Sequence, residues 1–229
     1  NLNIKAEEIM KRSTADPLRA LQGQTPGMQI TSNSGQPGEG MKVTIRGLGT
    51  TGSAGPLYVV DGIPGDISKI NPADIESIDV LKDAASAAIY GSQAANGVVL
   101  VTTKQGKEGT AQVYYDGYYG IQTLYREADM LNAEQYKVLM DESALNSGKA
   151  AHDWSLYGDA DTNWVKQMFR ESAPTQNHTV GISGGGKSSV YAISFNYTDQ
   201  QGLVGSKEKS RYESYKFRTN TEHRLYKDI

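Results

Sequence analysis

Val190-Tyr191-Ala192-Ile193-Ser194-Phe195-Asn196-Tyr197 decides how this chain folds. Tyr191, Ile193, Phe195 and Tyr197 share one parity, and Ala192, Ser194 and Asn196 share the other. A strand made of them has one apolar, aromatic face and one small, polar face. The alternation occurs in three further places. Val113, Tyr115, Tyr119 and Ile121 oppose Gln112, Asp116 and Gln122. Val180 and Ile182 oppose Asn177, Thr179 and Ser183, and Tyr215 and Phe217 oppose Lys216, Arg218 and Asn220.

The connections differ in kind. Gly184-Gly185-Gly186-Lys187 reads as a tight turn, Asp199 to Ser210 as a longer polar loop, and Tyr125 to Pro174 as an excursion of about fifty residues. In the excursion, Asn132 and Gln135 form a capping-box pattern opening a helix through Ala144, and Trp164 to Arg170 reads as a second helix. Long strands joined alternately by turns and long loops fit an outer-membrane barrel. About ten residues at ~3.3 Å each, tilted ~45°, span about 23 Å, close to the ~25 Å apolar band of such barrels. The same alternation fits an antiparallel sheet with one face on a soluble core, which is the architecture that pattern alone favours, with the barrel left open. Four strands are also too few to close a barrel, for which about eight is the minimum, so the barrel reading makes this chain a fragment.

The strand after Lys187 also disposes of two motifs. Gly181-Ile182-Ser183-Gly184-Gly185-Gly186-Lys187-Ser188 matches the phosphate-loop pattern, and Gly181-x-Ser183-x-Gly185 matches a nucleophile elbow. Both chemistries need a helix to follow, and a strand is expected instead. Gly47-Leu48-Gly49-Thr50-Thr51-Gly52 fits a dinucleotide fingerprint, but Pro56 and a new strand follow at once. Asp159-x-Asp161-x-Asn163 opens like a calcium loop, yet Trp164 and Arg170 stand where Gly and Glu are required. An irregular calcium site in the excursion stays open. His152, His178 and His223 fall in no metal-ligand spacing. Asp61 and Asp66 flank a turn, where Asp61-Gly62 is first a turn signal. No catalytic constellation emerges, and the chain reads as neither an enzyme nor a cofactor binder.

The preceding residues mix short elements. Ala6 to Arg12 reads as a turn of helix. Asp16 caps a helix beginning at Pro17 and closing at Gly23. Strands are expected over 27–31, 41–46, 57–60, around Ile75, Ile78 and Val80, and over 97–103, with an alanine-rich helix over 84–90. The 229 residues carry 38% hydrophobic and 21% charged side chains, which excludes wholesale disorder. Twenty-three Lys and Arg against 26 Asp and Glu argue against a nucleic-acid partner. There is no cysteine, so thiol and disulfide chemistry is excluded. Fourteen tyrosines outnumber three Phe and two Trp, and suit surfaces wet at one end and apolar at the other. The longest apolar run, Val98 to Val101, is far below the ~18 residues of a spanning helix. Asn1 to Ile4 does not read as a secretion signal, as expected of a cytoplasmic, mature or fragmentary chain.

Pro56-Leu57-Tyr58-Val59-Val60-Asp61-Gly62-Ile63 and Asn71-Pro72-Ala73-Asp74-Ile75-Glu76-Ser77-Ile78-Asp79-Val80-Leu81-Lys82-Asp83-Ala84, continuing through Tyr90-Gly91 to Asn96-Gly97-Val98-Val99, closely resemble the plug domain of TonB-dependent outer-membrane transporters. The resemblance is narrowest to their SusC/RagA branch, from Bacteroidetes. Leu21 to Ile30 and Val43 to Gly47 extend it, and Asn163-Trp164, Phe169-Arg170 and Gln176-Asn177-His178 resemble that branch's first strands.

The resemblance implies an α+β plug domain, a small mixed sheet with short helices, over 1–107. Residues 108–229 are then the first four or so antiparallel strands of a transmembrane β-barrel of 22 strands, with a long extracellular loop near 125–174. It implies import of oligomeric nutrients, glycan or peptide, across the bacterial outer membrane, with the plug inside the barrel lumen. Implied partners are a SusD-like surface lipoprotein, TonB with its inner-membrane motor, and outer-membrane lipid, with room for a homodimer of transporter–lipoprotein pairs. By this analogy the loops 32–39, 49–55 and 63–68 face outward, and Asn33, Ser34, Gln36, Thr50, Thr51, Ser53 and Asp66 become candidate substrate-binding residues. Closing their own turns is the competing role for each. Ile193 would face lipid and Ser194 the lumen. The rival architecture remains a soluble ligand-binding or structural module with an antiparallel sheet.

Overall fold

The computed structural model describes residues 2–12, 14, 16–32, 34–45, 47, 55–83 and 87–224. The N-terminal part comprises β1 (Leu2–Lys5), α1 (Ala6–Met10), α2 (Pro17–Leu21), β2 (Met28–Thr31), β3 (Lys42–Ile45), β4 (Leu57–Val60), β5 (Ile63–Pro64), β6 (Ile75–Leu81) and β7 (Val98–Thr103). Five of these strands form a mixed sheet in the order β1-β6-β7-β4-β5, in which only β4 and β7 run parallel. β2 and β3 form a separate hairpin. Ile4, Ile9, Leu21, Ile75, Ile78, Val80 and Val99 fill one core between sheet and helices, and Ile30, Val43 and Ile45 of the hairpin join it.

Local chemistry explains several boundaries. The Asp16 carboxylate accepts from Leu18 N at 2.9 Å and starts α2 at Pro17. Asp61 and Gly62 take φ of 49° and 86°, the two positive values a type I′ turn needs between β4 and β5. The alanine-rich helix ends earlier than expected: Ala87 is helical, its N donating to Asp83 O at 3.0 Å. Beyond Ala87 the chain forms 3-10 turns over Ala88–Ala94, broken where Gly91 takes φ 68° and ψ −155°; residues 84–86 lie outside the described set. Helix propensity yields there to a backbone conformation that favours glycine.

The second part holds β8 (Gly109–Thr123), α3 (Ala133–Asn146), α4 (Trp164–Met168), β9 (Ser172–Gly185), β10 (Ser189–Gln201) and β11 (Arg211–His223). The strands form one antiparallel sheet, ordered β11-β10-β9-β8. Both halves of the expected capping box are made at α3. β9 starts at Ser172, so Pro174 lies inside the strand rather than in the excursion. Gly184 and Gly185 also belong to β9, and the turn is residues 186–188, with Gly186 N donating to Ser189 O at 2.8 Å. No helix follows the phosphate-loop match.

The two faces of this sheet are inverted relative to a soluble protein. On one face, Val113, Tyr119 and Phe217 are 71%, 65% and 70% exposed. On the other, Asn177, Thr179, Ser194 and Asn196 are at most 5% exposed, because the N-terminal part packs over them. A soluble sheet buries its apolar face and wets its polar one. Here the polar face is covered and the apolar face bare, the arrangement of a barrel wall in lipid. On the bare face, charged side chains within β8 to β11 are confined to Asp199, Arg211 and Glu213, at the long-loop end. Among the described residues no helix is long and apolar enough to cross a membrane.

Candidate functional site: the seam between plug and wall

The N-terminal part meets the wall along a row of polar contacts running down the sheet. Nearest the long loops, Gly38 N donates to Gln200 Oε1 at 3.2 Å. Next, Lys216 Nζ donates to Ser68 O at 3.0 Å, and Asn71 Nδ2 to Thr179 Oγ1 at 2.6 Å. Toward the turns, Arg218 donates to Lys104 O at 3.2 Å, reaches the Thr103 hydroxyl, and lies 3.4 Å from the Asp61 carboxylate. Tyr114 OH donates to Asp74 Oδ1 at 3.1 Å.

Asn71 shows how sequence builds the seam. Its Oδ1 accepts from Ala73 N at 3.1 Å, capping the 3-10 turn Pro72–Asp74. That fixes the amide so that its NH2 points at the wall. Behind Thr179 lies a closed neutral network, in which Asn196 Nδ2 donates to Thr179 Oγ1 (3.0 Å) and Asn177 Oδ1 (3.2 Å). Asn177 Nδ2 in turn donates to Thr198 Oγ1 (2.8 Å). Buried polar groups are tolerable only when so paired. Each such bond contributes about 0.5–1.5 kcal/mol net, so the seam orients the N-terminal part on the sheet through many modest contacts.

Gly181 makes room for Tyr114. A Cβ there would fall within the Tyr114 ring, which lies across β9 at this point. Gly181→Val should force the ring off its path to Asp74 and cost about 1–3 kcal/mol. Unfolding titrations in a double-mutant cycle should show the penalty shrinking when Tyr114 is already alanine; full additivity would contradict the packing described.

Of the candidate substrate residues, Asn33, Thr50, Thr51 and Ser53 lie outside the described residues. Ser34 Oγ accepts from Gln36 N at 3.1 Å and donates to the Glu39 carboxylate. Asp66 accepts from Ser68 N at 3.0 Å and Ser68 Oγ at 2.7 Å. Ser34, Gln36 and Asp66 are exposed, but the bonds named here close their own turns. Gly38, in the same loop as Ser34 and Gln36, meets Gln200, which places that loop at the long-loop end of the wall. The Ser68 hydroxyl is the main reason the Asp66 carboxyl is held below its ordinary value. Asp66 therefore contributes stability that is present above the unfolded pKa near 3.8 and lost as pH falls through the lower folded value. Ser68→Ala should raise the Asp66 pKa in an NMR titration; an unchanged pKa would contradict this coupling.

Asp161 Oδ1 accepts from Ala133 N at 2.9 Å, and Asn163 Oδ1 accepts from Lys166 N at 3.1 Å, so these members of the calcium-like run hold helix starts. Asn71, Tyr114, Thr179 and Arg218 were not among the sequence candidates. The available signal was two cations, Lys216 and Arg218, on the covered parity of a strand whose other face carries Tyr215 and Phe217.

Residues 2–98 match the model of the TonB-dependent receptor plug domain. The TonB-dependent receptor SusC of Bacteroides thetaiotaomicron is 37% identical over 221 residues, covering 91% of this chain and 21% of SusC. The chain belongs to the SusC/RagA-type TonB-dependent receptors. TonB-dependent receptor P39 of Formosa agariphila is likewise 37% identical over 217 residues, with 93% of this chain and 21% of P39 covered. The structure of the RagAB peptide transporter superposes with a TM-score of 0.82 at 29% identity, covering 99% of this chain and 29% of that one. The chain thus spans about a fifth of the length of the curated relatives it matches. In this SusC/RagA-type receptor the first part is the plug and the antiparallel sheet is the start of the barrel wall. The relatives named are receptors and a transporter rather than enzymes.

Proposed function

We propose that this SusC/RagA-type receptor imports oligomeric nutrients, glycan or peptide, across the bacterial outer membrane. Residues 1–107 act as the plug inside the lumen, and 108–229 as the first strands of a 22-stranded barrel. TonB and its inner-membrane motor supply the energy, and a SusD-like lipoprotein covers the outer mouth. Asn33, Ser34, Gln36, Thr50, Thr51, Ser53 and Asp66 sit on plug loops that substrate meets first. One observation supports this above others: the wall's polar face is closed by the plug while its apolar face is bare. A seam of separate hydrogen bonds, some neutral and some to charged groups, also suits a plug that must hold position at rest yet yield locally under load.

The loop 49–55 is expected to sense substrate. Shortening it in the full-length receptor should weaken ligand affinity and uptake at normal surface expression, since such loops bury little. Unchanged affinity and uptake would remove the loop from the mechanism, and uptake independent of TonB would contradict the importer.

A further inference from the structure

Below the contact of Asn71 with Thr179, at the turn end of the sheet, a cleft of about 570 Å3 opens between plug and wall. Its lining includes Asp74, Glu76, Lys104 and Lys107 from the plug side, and Gln112 and Arg218 from the wall. Both charge signs face one space. Above it, Asn71, Thr179 and Asn196 are 4%, 0% and 2% exposed, so the interface is shut there and open below.

The lining favours one ligand chemistry. Tyr114 is the cleft's only aromatic ring among the described residues. It is packed closely on Gly181 of the wall, and Lys104 Nζ of the plug stands over it, 5.1 Å from its centroid. A sugar therefore meets a single aromatic ring that already carries a cation. Charged groups are what the cleft offers. The Asp74 carboxylate is held by Tyr114 OH and is only 5% exposed, so the open charges are those of Glu76, Lys104 and Lys107. Glu76 and Lys107 are paired only loosely, at 3.8 Å with side chains 47% and 83% exposed, and such a pair opens at small cost.

We infer that this cleft is a subsite for an oligopeptide passing toward the turn end of the barrel. The peptide's cationic groups meet Glu76, and its carboxylates meet Lys104 and Lys107. This deepens the import function proposed above and rests on it.

The chain has no cysteine, so Gln112→Cys introduces a unique thiol within it. In cells making the full-length receptor and its lipoprotein, the rate of maleimide labelling at this thiol is compared with no nutrient, with a tryptic digest of casein, and with neutral dextrins, each with and without TonB. At a peptide concentration about four times Kd, the unoccupied fraction and with it the labelling rate fall about fivefold. That protection is expected from the digest and not from the dextrins, and Ser183→Cys on the adjacent strand should repeat it. Protection by dextrins alone, or unchanged labelling while the digest is imported, overturns the subsite. Absence of TonB-dependent uptake of any nutrient by the unmodified receptor overturns the import function itself, and is read separately from labelling.

Discussion

Arginine in place of Phe217 should destabilise the membrane-inserted receptor by about 2–4 kcal/mol, the cost of a cation on the lipid face near mid-bilayer. Phe217 pairs with Phe195 across β10 and β11, and both point away from the plug. Its chain neighbours Lys216 and Arg218 are already cations, tolerated because the strand period turns them to the plug side, where Ser68 O, Lys104 O and Asp61 receive them. Position along the strand is nearly shared by the three, so face decides the penalty. Arginine at Gln112, which is exposed on the plug side, should cost far less. Ser194 is a poorer comparison: it faces inward as the alternation predicts, but it is only 5% exposed and hydrogen-bonded to the Tyr114 side chain, so arginine there would overpack the wall's inner face. Refolding titrations of the full-length receptor into bilayers would measure the difference. Equal penalties at 217 and 112 would refute the assignment of faces.

Asn196→Leu should have a comparable effect by a different route. Asn196 donates to Asn177, Thr179 and the His178 carbonyl, and accepts from Thr198. Leucine has a similar volume but leaves Asn177 Oδ1 without its donor and the Thr198 hydroxyl without its acceptor. Each stranded buried group costs about 1–3 kcal/mol, so a loss of about 2–4 kcal/mol is expected. Because Thr179 also receives Asn71 of the plug, the loss should loosen plug seating as well as the sheet. Raised ion conductance in planar bilayers would report the first effect and a lower unfolding midpoint the second. Thr219→Leu on the bare face of β11 provides the contrast, and should leave conductance unchanged. A fall in stability without any change in conductance would restrict the network to the wall.

The wall was legible because alternation is a local property. Tyr191 to Tyr197 carries its own face assignment, and each of the other three segments repeats it. Strand ends were less legible: Gly109 and Ser172 to Thr175 continue the ladder with residues that have no apolar pattern, held by pairing to their neighbours. The direction in which the sheet faces was not readable from pattern, since soluble and membrane sheets alternate alike. What covers the polar face decides it, and that depends on contacts such as Asn71 with Thr179, 108 positions apart. The 3-10 turns at Ala88–Ala94 escaped for a similar reason, since alanine favours a helix locally and Gly91 breaks it. Among the candidate site residues, Ser34 and Asp66 were chosen for the hydrogen bonds they can make, and those bonds turned inward to close Ser34's own loop and Asp66's own turn. The seam residues Tyr114 and Arg218 passed unnoticed because their partners are plug side chains and carbonyls that no spacing rule connects to them.

Lipid quenching along β10 tests the account most directly. Single cysteines at 192 to 197 of the full-length receptor, each carrying the same fluorophore, are reconstituted into bilayers containing a lipid-borne quencher. Strong quenching at 193, 195 and 197, with protection at 192, 194 and 196, is the predicted result. Uniform quenching, or protection of the odd positions, would contradict a lipid-facing apolar face and a plug-covered polar one.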